Sequence, residues 1–239
     1  MNKSKIMSQQ LTFSLSYKEA LEKEDFFFSR CNADATTVLG DWDNWTFGMM
    51  VLVGPKYSGK THLCSVWAIE TNALRISVNE VTDRLDQCLK VDFVCIEDID
   101  NIIDLEEKRK REIEEALFHL INHFVQRRKK VLFSAKKMPH HWQLSLKDLE
   151  SRMLSFNKVS IKEPDDKLIL ALLLKLFNDR QVKVGHDELK HIALRIDRSF
   201  SGMNEFVKLL DKKSLTLQRK INYSLINETI KEMIRLECQ

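Results

Sequence analysis

Short runs of hydrophobic, mostly β-branched residues alternate with longer amphipathic stretches over the first two thirds of the chain. Five runs predict strands: Met49 to Val53, Leu74 to Val78, Phe93 to Ile96, Val131 to Phe133 and Val159 to Ile161. Between the third and fourth runs, apolar residues recur at intervals of three and four from Ile113 to Val125, which predicts a helix with one buried face. Because this alternation is typical of βαβ units, we expect a parallel sheet.

The pattern changes after Pro164, where no further strand-like run follows. The remaining apolar positions have helical spacing in four stretches: Leu168 to Phe177, Leu189 to Ile196, Met203 to Leu210 and Leu225 to Ile234. We therefore predict a domain boundary at Glu163/Pro164, with an α/β domain over residues 16–163 and an all-helical domain over residues 164–239. Residues 1–15 are expected to form a flexible tail, because the chain begins with polar residues.

Composition and charge exclude several classes of protein. The 239 residues are 44% hydrophobic and 31% charged, with six Gly and three Pro, which is unlike a disordered or collagen-like chain. A net charge of +3 falls well below that of a dedicated nucleic-acid binder. The apolar runs are too short to span a membrane, and no apolar segment follows the N-terminus, so we expect a cytoplasmic protein. Lys108 to Arg111 lie among acids and predict the solvated start of a helix.

The strongest chemical signal is the segment GPKYSGKT, Gly54 to Thr61, which fits the phosphate-loop pattern G-x4-G-K-[ST]. It directly follows the first predicted strand and precedes a helical pattern, as such a loop requires. Loop N–H groups surround a β-phosphate, Lys60 neutralises phosphate oxygens, and the Thr61 hydroxyl ligates Mg²⁺. The predicted nucleotide-binding residues are Gly54, Pro55, Ser58, Gly59, Lys60, Thr61 and His62.

A magnesium–nucleotide site also needs a carboxylate from a second strand. The run from Phe93 to Asp98 is an apolar strand that ends in two acids, Glu97 and Asp98. We predict that one acid serves Mg²⁺ and the other orients water. Glu97 joins Thr61 as the expected magnesium ligand, although the sequence leaves open which acid takes which role.

Four segments together resemble one family. They are GPKYSGKTHL, CIEDID, the helix EEALFHLIN from Glu114 to Asn122, and DLESR from Asp148 to Arg152. Their order resembles the AAA+ module of the bacterial replication initiator DnaA, and the chain from about Gln10 onward is most similar to the Hda-like proteins of this DnaA-related family, which inactivate the initiator. The resemblance implies a P-loop AAA+ base with a five-stranded parallel sheet and a small helical lid. It also implies ADP or ATP between them, with Asp25, Phe26 and the stretch Asn32-Ala33 near the adenine.

The same resemblance assigns a catalytic role to Arg152. In this family the Arg of D-x-x-S-R is an arginine finger, which reaches a neighbouring subunit's γ-phosphate and stabilises transition-state charge. The alternative interpretation is a structural ion pair with Asp148, four residues earlier on the same helix. The chain departs from the family at Lys56 and Tyr57, where small residues, one of them often Gly, are usual, so the path of the loop stays open. The lid stretch Ser199 to Phe206 lacks the family's sensor Arg, and we expect weak or absent hydrolysis by the chain itself.

The tail carries a further resemblance. Gln10-Leu11-Thr12-Phe13 looks like the short peptide with which replication proteins dock on the sliding clamp. Such a peptide inserts Leu11 and Phe13 into an apolar cleft while Gln10 forms a hydrogen bond beside it. The alternative is that this segment packs on its own domain.

The leading hypothesis is an adapter that binds adenine nucleotide and the DNA-loaded sliding clamp. It would present Arg152 to the ATP-bound initiator, stimulate hydrolysis there and limit re-initiation. The alternative is an autonomous AAA+ ATPase, a remodeller or helicase loader, that turns over ATP through Glu97 or Asp98. A DNA-binding initiator is disfavoured because the chain ends with the lid, so direct DNA contact is expected to be weak or absent; homo-oligomers are left open.

Overall fold

One parallel sheet forms the centre of the molecule. The structure, a computed structural model, describes residues 28–237. Its strands are β1 (Met49–Val53), β2 (Leu74–Ser77), β3 (Phe93–Glu97), β4 (Lys130–Ala135) and β5 (Asn157–Ser160). Their order is β2-β3-β4-β1-β5, and every pair is parallel, which confirms the predicted sheet.

Strand β4 is longer than the hydrophobic run that predicted it. Its ladder with β1 pairs Met49 with Val131 at one end and Val53 with Ala135 at the other, so the strand includes Ser134. A polar residue can extend a strand when the neighbouring strand supplies the hydrogen bonds. Strand pairing, which hydrophobicity does not report, therefore sets this boundary.

Nine α-helices surround or follow the sheet within residues 28–237. Those before the last strand are α1 (Ala33–Gly40), α2 (Lys60–Thr71), α3 (Leu85–Lys90), α4 (Glu107–Gln126) and α5 (Lys147–Ser155). Those after it are α6 (Asp166–Asn178), α7 (His186–Ala193), α8 (Phe200–Leu217) and α9 (Tyr223–Glu237), in agreement with the four predicted C-terminal helices. None of the described helices is long and apolar enough to cross a membrane.

The two faces of the sheet carry separate hydrophobic clusters. Alternate residues of β1 take part in each: Met50 and Leu52 pack with α1, α2 and the helices after β5, whereas Met49 and Val51 pack with α4 and α5. All five residues of β1 are buried, as expected for a central strand covered on both faces. The second face thus carries α5, the helix that contains Arg152.

The first turn of α4 is less solvated than its sequence predicts. Lys110 is buried, and its Nζ donates a hydrogen bond of 2.7 Å to the carbonyl oxygen of Gln143. The expectation of a solvated start is wrong at this position, because one face of the turn packs on the loop that precedes α5. The lysine satisfies a carbonyl that the loop itself leaves unpaired.

A fully buried carboxylate joins the same two elements. Glu114 on α4 accepts hydrogen bonds from the backbone N–H groups of Ser145, at 2.9 and 3.1 Å, and Leu146, at 2.7 Å. These N–H groups lie at the start of α5, where no preceding helical turn supplies carbonyl oxygens to accept their hydrogen bonds. Glu114 therefore fixes the start of the helix that carries Arg152.

We predict that Glu114→Ala lowers the free energy of unfolding by about 2 kcal/mol, because two backbone donors lose a charged acceptor. Urea denaturation followed by circular dichroism measures the change. Glu115→Ala is the matched control: its side chain is 62% exposed, and a change within about 0.5 kcal/mol is expected. Equal effects of the two substitutions would show that the carboxylate of Glu114 does not hold the start of α5.

Candidate nucleotide-binding site

A cavity of about 580 Å³ lies between the sheet domain and the C-terminal helices. One wall contains the loop after β1, together with Asp98 after β3 and Lys136 after β4. The opposite wall consists of residues from α6 and α8 and of Asp179, which follows α6: Leu168, Leu172, Lys175, Leu176, Asp179, Phe200, Met203 and Asn204. The cavity is therefore at the carboxyl ends of parallel strands, where ligands bind in open α/β sheets.

Two glycines give the loop after β1 its path. A Cβ atom on Gly54 would lie 2.7 Å from the Oγ of Ser58 and 3.2 Å from the Cβ of Ile161, so no larger residue fits there without a shift. Gly59, which precedes α2, has a φ of 91°, a conformation that favours glycine. The loop thus folds tightly over the end of β1 and directs the N-terminus of α2 toward the cavity.

Tyr57 lies in the part of this loop whose path the sequence left open. Its φ is 67°, in the left-handed region that L-residues with side chains rarely adopt. The loop therefore takes at this residue a conformation that glycine would adopt without strain, and the tyrosine side chain is carried into the cavity wall.

Buried polar groups of the loop fit an anionic ligand. Lys60 is buried, and its Nζ donates 2.8 Å hydrogen bonds to the carbonyl oxygens of Gly54 and Pro55, which leaves a third ammonium donor. Burial lowers the pKa of Lys60, and the carboxylates of Asp98 and Asp100 oppose that shift. The Oγ of Ser58 is buried and has no hydrogen-bond partner in the described part of the chain. Phosphate oxygens would satisfy both groups.

The predicted phosphate-loop residues therefore meet at one cavity. Ser58, Gly59, Lys60, Thr61 and His62 line it, and the carbonyl groups of Gly54 and Pro55 hold the lysine.

Glu97, the last residue of β3, and Asp98, the next residue, are in different environments. Asp98 lines the cavity; it has a φ of 52°, and its N–H donates to the Oγ of Ser134 at 3.1 Å. Glu97 is outside the cavity wall, and its Oε1 accepts hydrogen bonds from Nη2 of Arg75 at 2.6 Å and from Nε at 3.0 Å. Arg75 lies on β2, where Ser77 pairs with Glu97. The arrangement brings Asp98 to the ligand side and engages Glu97 with a neighbouring strand.

Two further residues near the site, Arg75 and a third acid, Asp100, were not predicted. Asp100 is buried, and its Oδ2 accepts hydrogen bonds from the N–H groups of Lys136, at 3.0 Å, and Lys137, at 3.2 Å. This bond anchors the segment after β4, whose Lys136 side chain lines the cavity. The acidic run CIEDID contains Asp100, but its role depends on the adjacency of β3 and β4, which the sequence does not state.

Arg152 lies on the other face of the sheet from α2. Its guanidinium carbon is 5.4 Å from the ring centroid of Phe118 on α4, which packs on the cluster of that face. Within residues 28–237, Arg152 forms no ion pair with Asp148, which was the alternative interpretation of the DLESR segment. Its side chain is therefore held over an aromatic ring, on a surface distinct from the cavity of its own chain.

Five predicted site residues lie outside the described residues. These are Gln10, Leu11 and Phe13 of the tail, and Asp25 and Phe26 of the expected adenine region.

Comparisons with known proteins agree with this architecture. Residues 24–161, more than half of the chain, match the family described as the bacterial DnaA ATPase domain. The chromosomal replication initiator protein DnaA of Borrelia turicatae is 25% identical over 163 residues, which are 68% of this chain and 32% of that protein. The chain thus spans about a third of that relative's length.

Solved structures show the same fold. Domain III of the Thermotoga maritima replication initiation protein DnaA superposes with a TM-score of 0.63 at 16% identity, covering 92% of this chain and 91% of that one. AMPPCP-bound DnaA from Aquifex aeolicus superposes with a TM-score of 0.61 at 16% identity, covering 80% of this chain and 64% of that one. These similarities confirm the predicted P-loop AAA+ fold. The chain belongs to the bacterial DnaA ATPase domain family.

Proposed function

We propose that the chain binds ADP or ATP with Mg²⁺ in the cavity between its sheet domain and its C-terminal helices. The observation that carries this proposal is the convergence of the phosphate loop, the buried Lys60 and Asp98 beneath an apolar wall of α6 and α8. Loop N–H groups and Lys60 would hold the phosphates, and the apolar wall would accept the base. We propose that the domain boundary lies at Glu163/Pro164, so that the phosphate loop belongs to the first domain and α6 and α8 belong to the second.

The Mg²⁺ that accompanies the nucleotide would take oxygen ligands, among them the Thr61 hydroxyl and a carboxylate. We propose Asp98 as this carboxylate in place of Glu97. Asp98 lines the cavity with Thr61, whereas the Oε1 atom of Glu97 is already bonded to the guanidinium group of Arg75.

Lys60→Ala tests the phosphate site. Loss of a buried charge that bonds phosphate oxygens is expected to weaken ADP binding by more than about tenfold, measured by titration with a fluorescent ADP analogue. Lys137→Ala is the matched control, because this lysine next to Lys136 is exposed, and its hydrogen bonds to Asp100 and Trp142 come from its backbone. If Lys60→Ala retains the affinity of the parent chain, the nucleotide site lies elsewhere.

Asp98→Asn and Glu97→Gln distinguish the two acids. We expect Asp98→Asn to lose most of the affinity that Mg²⁺ adds to ATP binding, because an amide replaces the anionic ligand. Glu97→Gln should keep that gain and lower the free energy of unfolding by about 0.5–1 kcal/mol, since it weakens a partly exposed ion pair. Calorimetric titration with and without Mg²⁺ measures the first effect, and urea denaturation the second. The reverse pattern of Mg²⁺ dependence would assign the metal to Glu97.

We further propose that the chain is a replication adapter in which Arg152 acts on the ATP of a bound DnaA initiator. Two observations support a role in trans: the guanidinium group has no acidic partner among the described residues, and it lies across the sheet from the helix that follows the phosphate loop. Stacking on Phe118 restricts the side chain, so less conformational freedom is lost when a partner's phosphate binds. Glu114 and Phe118, one turn apart on α4, together position α5 and its arginine.

The proposed adapter docks on the sliding clamp through Gln10, Leu11 and Phe13. Hydrolysis by the initiator is therefore assayed in the presence of DNA-loaded clamp. Rapid ATP turnover by this chain alone would instead favour an autonomous ATPase.

Arg152→Ala is expected to abolish the stimulation of initiator hydrolysis, since an arginine finger contributes about 10³–10⁵ in rate where it has been measured. Arg152→Lys should restore little of it, because an ammonium group lacks the planar fork of a guanidinium. Single-turnover hydrolysis of labelled ATP on the initiator measures both variants. Arg111→Ala is the control, since this arginine is 80% exposed on the neighbouring helix. Full stimulation by Arg152→Ala would contradict the adapter mechanism.

A further inference from the structure

Tyr57 of the phosphate loop contacts the C-terminal helices directly. Two lysines lie over its ring: the Nζ of Lys56, in the same loop, is 5.0 Å from the ring centroid, and the Nζ of Lys208, on α8, is 6.0 Å from it. Both distances are within the range of cation–π attraction. One aromatic ring therefore joins the loop that would hold phosphate to the helix that covers it.

The same side chain lines the cavity together with Lys56 of the loop and Asn204 of α8. Lys56 chiefly lowers the pKa of Tyr57, and the charge of Lys208 lowers that pKa further. Asn204 is buried on α8, and its Oδ1 accepts a hydrogen bond of 3.5 Å from Nη2 of Arg180, which follows α6. Asn204 thus links α8, the helix that carries Lys208, to the end of α6.

The backbone conformation of Tyr57 is a second, independent observation that this residue is held in place by its surroundings. A left-handed φ is strained for any residue with a Cβ atom, and such strain persists where the surroundings over-determine the conformation. Glycine would relieve it, but it would remove the ring on which Lys208 rests. The strained conformation and the contacts across the cavity therefore belong to the same side chain.

We propose that Tyr57 is a positioning residue that holds the C-terminal helices on the phosphate loop, so that the cavity stays covered before nucleotide binds and releases nucleotide slowly. The first part concerns the chain by itself. The second part, slow release, rests on the proposed nucleotide site.

Tyr57→Gly removes the ring at a position whose φ glycine adopts freely, so the loop keeps its path. Lys208→Met removes the lysine on the helix and leaves the loop unchanged. Lys212→Met, an exposed position one turn further along α8, is the matched control. Tyr57→Phe, which keeps the ring and loses the hydroxyl group, separates the two kinds of contact.

Hydrogen exchange of the nucleotide-free protein, followed by mass spectrometry, tests the first part. In Tyr57→Gly and Lys208→Met, amides of α6 and α8 should exchange about fivefold faster than in the parent chain, and the double variant should add little to either single change. Urea denaturation should show no loss of global stability in Tyr57→Gly, because backbone strain is relieved. Unchanged protection of α6 and α8 in both variants overturns the proposal.

Release of a fluorescent ADP analogue, measured by stopped flow, tests the second part. Tyr57→Gly and Lys208→Met should each accelerate release about fivefold, Tyr57→Phe less, and Lys212→Met not at all. Parent-like release from both Tyr57→Gly and Lys208→Met overturns the assignment. If the parent chain binds no nucleotide, the proposed function fails, and exchange in the nucleotide-free protein still decides whether Tyr57 holds the helices.

Discussion

The hydrogen bonding of β1 to its two neighbours is the constraint on which the site depends. The ladders continue past the strand: the N–H of Gly54 donates to the carbonyl oxygen of Ala135, and the N–H of Ile161 donates to that of Val53. The loop that follows is therefore anchored at its first residue and folds over a fixed base. Parallel pairing also brings the carboxyl ends of β3 and β4 to the same edge of the sheet. Asp98 and Lys136, which directly follow these strands, therefore both line the cavity.

The strand order also determines which charged side chains lie on the cavity side and which lie on the other face of the sheet. On the cavity side, four lysines and two acids line the wall, an excess of positive charge that favours a polyanion: Lys56, Lys60, Lys136, Lys175, Asp98 and Asp179. Glu97, which could compete, is neutralised by Arg75 on the adjacent strand. On the other face, the guanidinium group of Arg152 lies over the ring of Phe118. The carboxylate of the buried Glu114 accepts hydrogen bonds from backbone N–H groups at the start of α5. One chain thus separates a site for binding anions from an arginine that can be offered to another molecule.

The fold was largely predictable because local patterns and tertiary environment agree. A strand buried on both faces must be apolar throughout, so β1 was recognised at its observed limits, and the amphipathic face of α4 coincides with the residues that pack on the sheet. Predictions failed where polar groups serve long-range partners. Lys110 looked solvated by its neighbours in sequence, yet it bonds Gln143, 33 residues away. Ser134 extended β4 because a partner strand was present.

The sequence by itself determined the class of site, since the spacing of Gly54, Gly59, Lys60 and Thr61 is a local requirement of a loop that binds phosphate between a strand and a helix. Only the tertiary structure decided which residues complete it. Strand order places Arg75 beside Glu97 and Asp100 beneath Lys136, and the fold of the C-terminal helices brings Lys208 to Tyr57. These pairs are distant in sequence, and each forms because neighbouring strands and packed helices bring opposite or complementary groups within bonding distance. The spacing of hydrophobic residues indicates which face of a segment is buried. Which other segment packs against that face is decided by the whole fold.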